Sequence, residues 1–269
     1  RFSSGVFGSR AYMGLVDNDL ISSLKDSDGL NLSEVLEQYG SSLEDFKKIE
    51  QRDWTFFAEA HIEQGKLLEK NNLPVGIVNG IAGQAWLEVE FKGLAGHAGN
   101  TPMNDRQDAL VAAGRFVSEL ENLPPVVSET AVATVGKLSV APNGANVIPE
   151  SVKMIVDIRD IHEDTRDKLL DLVRELAESI AADRNITVTV QGTSRVKPIP
   201  IEDEYKHELK GILSTMDIEP MELPSGAGHD SMNIGLELPV AMIFARSKDG
   251  ISHNPKEWTT LDDCVQTVH

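Results

Sequence analysis

Four of the seven histidines stand in short segments crowded with glycine or acids: His61 in HIEQG, His97 in GLAGHAGNTP, His229 in SGAGHDS and His253 in GISHNPKEW. An imidazole can ligate a metal, move a proton near neutral pH or simply hydrogen-bond, and its neighbours decide which. His61 and His253 each fall where an apolar run ends, a place where ring nitrogens could meet a borderline cation such as zinc or manganese. Two ligands alone are too few, because a catalytic zinc takes about three protein ligands and an open water position. Glu63, Asp230 and Glu257 are the acids nearest in sequence. Each serves equally as a solvated side chain or as the hydrogen-bond partner of a ligand.

His97 and Asn146 lie in glycine-rich loops, where backbone approaches a ligand closely and either side chain could donate to a developing oxyanion. Arg159 follows Asp157 on the same face of a strand, so its planar guanidinium could clamp a carboxylate at two points. A plain surface pair with Asp157 or Asp160 accounts for it as well. The run Ser225-Gly226-Ala227-Gly228 has the look of a phosphate or nucleophile loop but lacks the lysine and helix of a P-loop. Ser225 follows Pro224 rather than sitting in a G-x-S-x-G elbow, which argues against a serine triad with His229 and Asp230.

The elements that must carry these residues are legible in the hydropathy. Residues 1–53 suit loops and short helices, with Asn31-Leu32-Ser33-Glu34 offering cap chemistry. An apolar run over residues 54–60 ends at His61, and the spacing of Leu67 and Leu68 predicts a helix over 63–71, stopped by Asn71-Asn72. From Gly80 the period changes: Leu87, Val89 and Phe91 alternate with Glu88, Glu90 and Lys92, the mark of a strand with one wet face. Helical spacing returns at Ala109, Leu110, Ala113, Phe116, Val117 and Leu120, and again at Leu169, Val173, Leu176 and Ile180. With strands over 131–140, 152–158 and 186–190, the order is that of a split βαβ unit, read as a separate small domain. A helix over 205–213 then precedes the unalternated run 239–245, which predicts a strand of a parallel sheet covered on both faces, a fold that keeps its sites at the strands' carboxyl ends.

Composition removes several classes. The 269 residues are enough for one large or two modest domains. Forty-three acidic against 25 basic side chains leave a net charge of −18, which would repel a phosphate backbone or an anionic membrane, so neither nucleic acid nor membrane is an expected partner. No apolar run approaches the ~20 residues of a membrane span. Cys264 is the only cysteine, so no intrachain disulfide or cysteine-based zinc cluster can form, and the cytoplasm is the expected compartment. The chain opens on Arg1-Phe2-Ser3 with no signal-peptide pattern.

Six segments taken together, HIEQG at 61–65, HAGNTPM at 97–103, NVIPE at 146–150, DIRD at 157–160, LPSGAGHDS at 223–231 and SHNPKEW at 252–258, resemble the amidase/hydantoinase/carbamoylase branch of the M20 metallopeptidase-like family, in order and over nearly the whole chain. The resemblance implies a zinc-peptidase-like α/β catalytic domain, formed here by residues 1–79 and 190–269, with an inserted ferredoxin-like α+β lid over 80–189 that dimerises. It implies two divalent ions, zinc or manganese, with His61 ligating one and His253 the other. On the lid, His97 would polarise the scissile carbonyl, Asn146 would contact substrate and Arg159 would hold the substrate carboxylate, both His97 and Arg159 being presented to the neighbouring subunit. Gln64 and the loop Gly226-Ala227 resemble weaker substrate contacts.

In such enzymes metal-bound hydroxide attacks the carbamoyl carbon of an N-carbamoyl-L-amino acid, releasing ammonia, carbon dioxide and the free amine. Gly83-Gln84-Ala85-Trp86 lacks the arginine pair that allantoate-preferring members carry, which favours carbamoyl amino acids over allantoate or ureidoglycolate. The family's remaining ligands and its catalytic glutamate lie upstream of the segment matching Arg1-Phe2, and its terminal helix runs past His269. The expectation is therefore a chain truncated at both ends, with partial or no metal of its own. Two alternatives accompany it: an inactive fragment that only dimerises or binds, and a related M20 aminopeptidase or deacylase, against which HIEQG and SHNPKEW argue.

Overall fold

The computed structural model describes residues 5–42 and 54–269; Arg1-Phe2 lies outside them. The first elements are α1 (Phe7–Tyr12), α2 (Asn18–Ser23), α3 (Leu32–Gln38), β1 (Phe57–Ile62), α4 (Leu67–Lys70) and β2 (Val75–Ile81). Next come β3 (Gly83–Lys92), β4 (Gly96–His97), α5 (Ala109–Leu120), α6 (Pro124–Val127), β5 (Val132–Ala141), β6 (Val147–Ile148), β7 (Ser151–Asp160), α7 (Glu163–Asp183) and β8 (Thr187–Arg195). The chain closes with β9 (Ile199–Pro200), α8 (Asp203–Thr215), β10 (Glu222–Ser225), α9 (Ser231–Ile234), β11 (Val240–Ala245) and α10 (Leu261–Val268). They form two compact units, Arg1–Ile81 with Ile199–His269, and Ala82–Pro198.

In the first unit the sheet order is β1-β11-β2-β10, with β9 also on β2. β1 runs parallel to β11 and β10 parallel to β2, but β11 and β2 are antiparallel. The sheet is therefore mixed rather than parallel. The unalternated run 239–245 reported burial correctly, since Val240, Met242 and Phe244 are 4, 1 and 2% exposed, but burial on two faces says nothing about the direction of the neighbouring strand. Among the described residues of the amino-terminal part, α3 starts on the expected cap, with Asn31 and Glu34 closing a reciprocal capping box.

The second unit is an antiparallel sheet of order β5-β7-β3-β8. Numbered within the unit this is 2-3-1-4, the split βαβ arrangement expected from the pattern. The inward residues Leu87, Val89 and Phe91 are buried against Ala113 and Phe116 of α5 and Leu169 and Val173 of α7. On the other face Glu88 pairs with Lys153 at 3.1 Å and Glu90 with Lys92 at 3.2 Å. The boundaries expected near residues 79/80 and 189/190 fall at Ile81/Ala82 and Pro198/Ile199. β8 continues past Val190 because it stays paired with β3 as far as Arg195 opposite Ala85. The fully buried Arg166 then holds the chain beyond it, donating to the Val196 carbonyl at 2.6 Å.

Candidate active site

His61 lies inside β1, opposite Phe244 of β11, rather than after the strand's end. Its Nδ1 is 2.9 Å from the Ile62 carbonyl oxygen. A carbonyl only accepts, so Nδ1 carries the proton and the Nε2 lone pair is left to act. The helix predicted over 63–71 shrinks to Leu67–Lys70, because the Glu63 carboxylate accepts from the backbone N–H groups of Leu67 (2.6 Å) and Leu68 (3.1 Å) and so begins the helix four residues on. Glu63 is thereby a cap. A Cβ at Gly65 would stand 2.7 Å from its Oε1, so a side chain there would displace the capping carboxylate.

Between strand and helix Gln64 takes a left-handed φ of 56°. Its backbone N–H donates to Ser247 Oγ at 3.0 Å and its side-chain amide to Ser252 Oγ at 2.7 Å. These bonds tie the turn after β1 to the loop after β11. In that loop His253 also has a positive φ, 54°, and its N–H donates to Glu257 Oε2 at 2.9 Å. Two non-glycine residues in this strained region, at one place, are a local cost that a functional site accounts for. The result is a cavity of about 510 Å³ whose walls include His61, Gln64, His253, Glu257 and Cys264. The structure thus brings together three residues singled out from sequence positions far apart.

Gly226 and Ala227 are not among that cavity's walls. Their loop instead closes on itself, Ser225 Oγ bonding the Ala227 carbonyl at 3.1 Å. Ser225 also meets His229 Nε2 at 2.7 Å, the contact a serine triad would need. Yet Ser225 and His229 are 1 and 3% exposed, so no substrate reaches the hydroxyl. Burial, with His61 nearby and Asp230 opposing, pushes His229 down to about 4. It is neutral at pH 7, and its 4.0 Å approach to Glu59 is no ion pair there.

In the second unit β4 pairs with β6, placing His97 opposite Val147, and the Ala98 N–H donates to the Asn146 carbonyl at 3.0 Å. His97 and Asn146 therefore share one two-stranded ribbon. The Gly99 N–H donates to His97 Nδ1 at 3.0 Å, so the neutral ring carries its proton on Nε2, as a donor. Arg106 holds the loop beneath, bonding the carbonyls of Ala98 and Thr101. On β7, Arg159 grips Asp157 at two points, 2.7 and 2.9 Å, and Trp86 Nε1 donates to the same carboxylate at 2.8 Å. This is the intrachain pair that sequence spacing also allowed. Burial raises the Asp157 carboxyl, but the bonds from Arg159 and Trp86 outweigh it and leave it below its ordinary value. The same bond to Asp157 raises the Arg159 guanidinium against the opposing effect of burial.

Among the described residues no three His, Cys, Asp or Glu side chains converge as a metal site would require. Two imidazoles on one cavity do not by themselves fit a divalent ion. Sequence reading missed Cys264 on the cavity wall, Ser247 and Ser252 as the partners that hold Gln64, and Glu59 on β1. Only Glu59 carried a signal, since it lies two residues before His61 and so shares its face of β1.

Residues 79–185 match the peptidase dimerisation domain of the M20 family. The chain is 38% identical over 267 residues to an N-carbamoyl-L-amino acid amidohydrolase of Geobacillus stearothermophilus, an alignment covering 98% of this chain and 65% of that one. It is 32% identical to an allantoate amidohydrolase of Bacillus subtilis, over 97% of this chain and 63% of the other. The crystal structure of a hydantoinase/carbamoylase family amidase from Burkholderia multivorans superposes with a TM-score of 0.86 at 30% identity, covering 98% of this chain and 64% of that one. The chain thus spans slightly under two thirds of the length of these relatives, and neither share speaks to where it begins or ends. Residues 79–185 thus carry the dimerisation domain of the M20 family, and over nearly its whole length the chain is similar to hydantoinase/carbamoylase amidases.

Proposed function

We propose that this chain acts in an amidohydrolase reaction that cleaves the carbamoyl C–N bond of N-carbamoyl-L-amino acids. The observation that carries the reading is the tautomer of His97: with Nδ1 accepting from Gly99, its Nε2–H is a ready donor to a carbonyl oxygen that gains charge as water adds. Asn146, on the same ribbon, is assigned to the substrate too. Arg159 is assigned to the substrate carboxylate, its plane fixed by Asp157. In the first unit Gln64 is assigned to substrate, with Gly226 and Ala227 as weaker contacts.

His61 and His253 are proposed as this chain's donors to a zinc or manganese centre. The described residues do not complete that centre, and no step is routed through it. A homodimer formed by the second unit is part of the proposal. Supporting it are the dimerisation-domain match and the apolar surface on the edge strand β5 and on α5, where Val132 is 50%, Leu138 46% and Val111 44% exposed.

The test is release of ammonia and free amino acid from N-carbamoyl-L-amino acids, with allantoate and N-acyl amino acids as competitors, in the presence of zinc or manganese. Turnover of the carbamoyl substrates is expected to lead. Preference for allantoate, the substrate named for relatives at 31 and 32% identity, would move the substrate assignment. Preference for N-acyl compounds would remove the carbamoyl assignment altogether.

A further inference from the structure

The buried polar cluster under His61 is used by none of the roles above. Ser225 ends β10, His229 lies in the following loop, Ser231 opens α9 and Glu59 stands on β1. The Glu59 carboxylate is occupied by the Ser231 N–H at 2.8 Å and hydroxyl at 2.6 Å. His229 is anchored at Nε2 by Ser225, 2.7 Å away, and backed by Phe244 at 5.7 Å between ring centroids. Its remaining face meets the ring of His61, 4.5 Å away and inclined at 69°.

Each half of this arrangement excludes a simpler account. As a nucleophilic pair, Ser225 and His229 have no access to solvent or cavity. As plain core filling, the site would take apolar groups; a buried imidazole and a largely buried carboxylate are tolerated only when bonded, and each is bonded to a serine of the cluster, His229 to Ser225 and Glu59 to Ser231. What the cluster touches that does reach the cavity is His61. That ring needs support: among the described residues β1 is paired on one side only, the χ2 torsion of histidine is broad, and the bond to Ile62 is to an adjacent residue.

We infer that His229, locked by Ser225, is a positioning residue that holds the His61 ring in the orientation and tautomer presenting Nε2 to the cavity. The inference rests on the proposed role of His61. Its test needs neither metal nor turnover, so it fails or stands separately from that role.

The measurement is a long-range 1H–15N correlation spectrum of the imidazoles in the labelled chain. His61 is expected as a single Nδ1–H form with two widely separated ring 15N shifts, and with cross-relaxation to the His229 ring. In His229→Gln, which keeps a donor for Ser225 but no ring, those two shifts should draw together by roughly half or more as tautomers and rotamers mix. His229→Phe restores a ring edge and should restore most of the separation. Ser225→Ala, a small deletion, should give an intermediate loss. The amide 1H–15N resonances of β1 and β11 report that the first unit is folded in each variant, and His97, expected as the Nε2–H form, reports on the other unit. Unchanged His61 shifts in a folded His229→Gln or Ser225→Ala chain would overturn the inference. So would a wild-type His61 in the Nε2–H form or without contact to His229, which requires no variant.

Discussion

Replacing Asp157 by Asn keeps the shape of the residue and removes the charge that Arg159 grips. In the wild type the carboxylate receives three donors at 2.7, 2.8 and 2.9 Å, two from Arg159 and one from Trp86. Hydrogen bonds to a charged group contribute about 1.5–3 kcal/mol each, whereas a fully exposed ion pair contributes about 0–1. The side chains of Arg159 and Asp157 are 31 and 24% exposed, and Asn retains one acceptor, so the net loss should be about 1–2 kcal/mol. At a urea slope of about 2 kcal/mol/M this lowers the midpoint of unfolding by roughly 0.5–1 M.

The pH dependence gives the stronger check. The Asp157 carboxyl titrates below its ordinary 3.8 in the folded chain, so its contribution is complete above that value and is lost as pH falls through the folded one. The gap between wild type and variant should therefore be constant from neutral pH down to about 5 and should narrow progressively as pH falls below the ordinary carboxyl value towards the lower folded one. Urea titrations followed by circular dichroism at several pH values measure it. A gap under about 0.3 kcal/mol at pH 7, or one that persists undiminished at pH 3, would refute the view that this charge fixes the guanidinium.

Three further outcomes follow from the same geometry. Arg159→Ala should cut kcat/KM for carbamoyl amino acids by about a hundredfold, with Arg159→Lys recovering only part because it lacks the planar fork; an unchanged value for both would withdraw the carboxylate role. His97→Ala should lower kcat by about 10²–10³ with little change in KM, the signature of a donor used in the transition state; a change confined to KM would make it a simple binding residue. Phe116, fully buried and 5.7 Å from Phe91 between ring centroids, should cost about 3–5 kcal/mol when cut to Ala. A thermal midpoint within a degree or two of wild type would mean that the helical face of the second unit is not packed as described.

Much of the architecture was readable because it rests on periodicity. Leu87, Val89 and Phe91 alternate with charged residues because one face of their sheet is covered by helices and the other is wet, and that division writes itself into every second residue. Strand ends were less legible: β8 runs to Arg195 through Gly192 and a bulge at Thr193, which carry no hydropathy signal, because pairing with β3 resumes at Ser194 and Arg195. Helix α4 was overextended because the capping role of Glu63 depends on where the chain turns.

The sequence by itself determined which residues are chemically capable: His61, His97, Asn146, Arg159 and His253 stand out by type and setting, and their motifs mark the family. Only tertiary structure decided what each is able to do. The register of β1 on β11, with the turn of Gln64 bound to two serines across the sheet, sets His61 and His253 on one cavity. A backbone N–H two residues on chooses the tautomer of His97, and a carboxylate turns Arg159. Burial removed Ser225 and His229 from nucleophilic chemistry, although the distance between them would have permitted it. Residue type sets the menu of reactions locally, whereas direction, solvent access and protonation belong to contacts between segments that sequence separates.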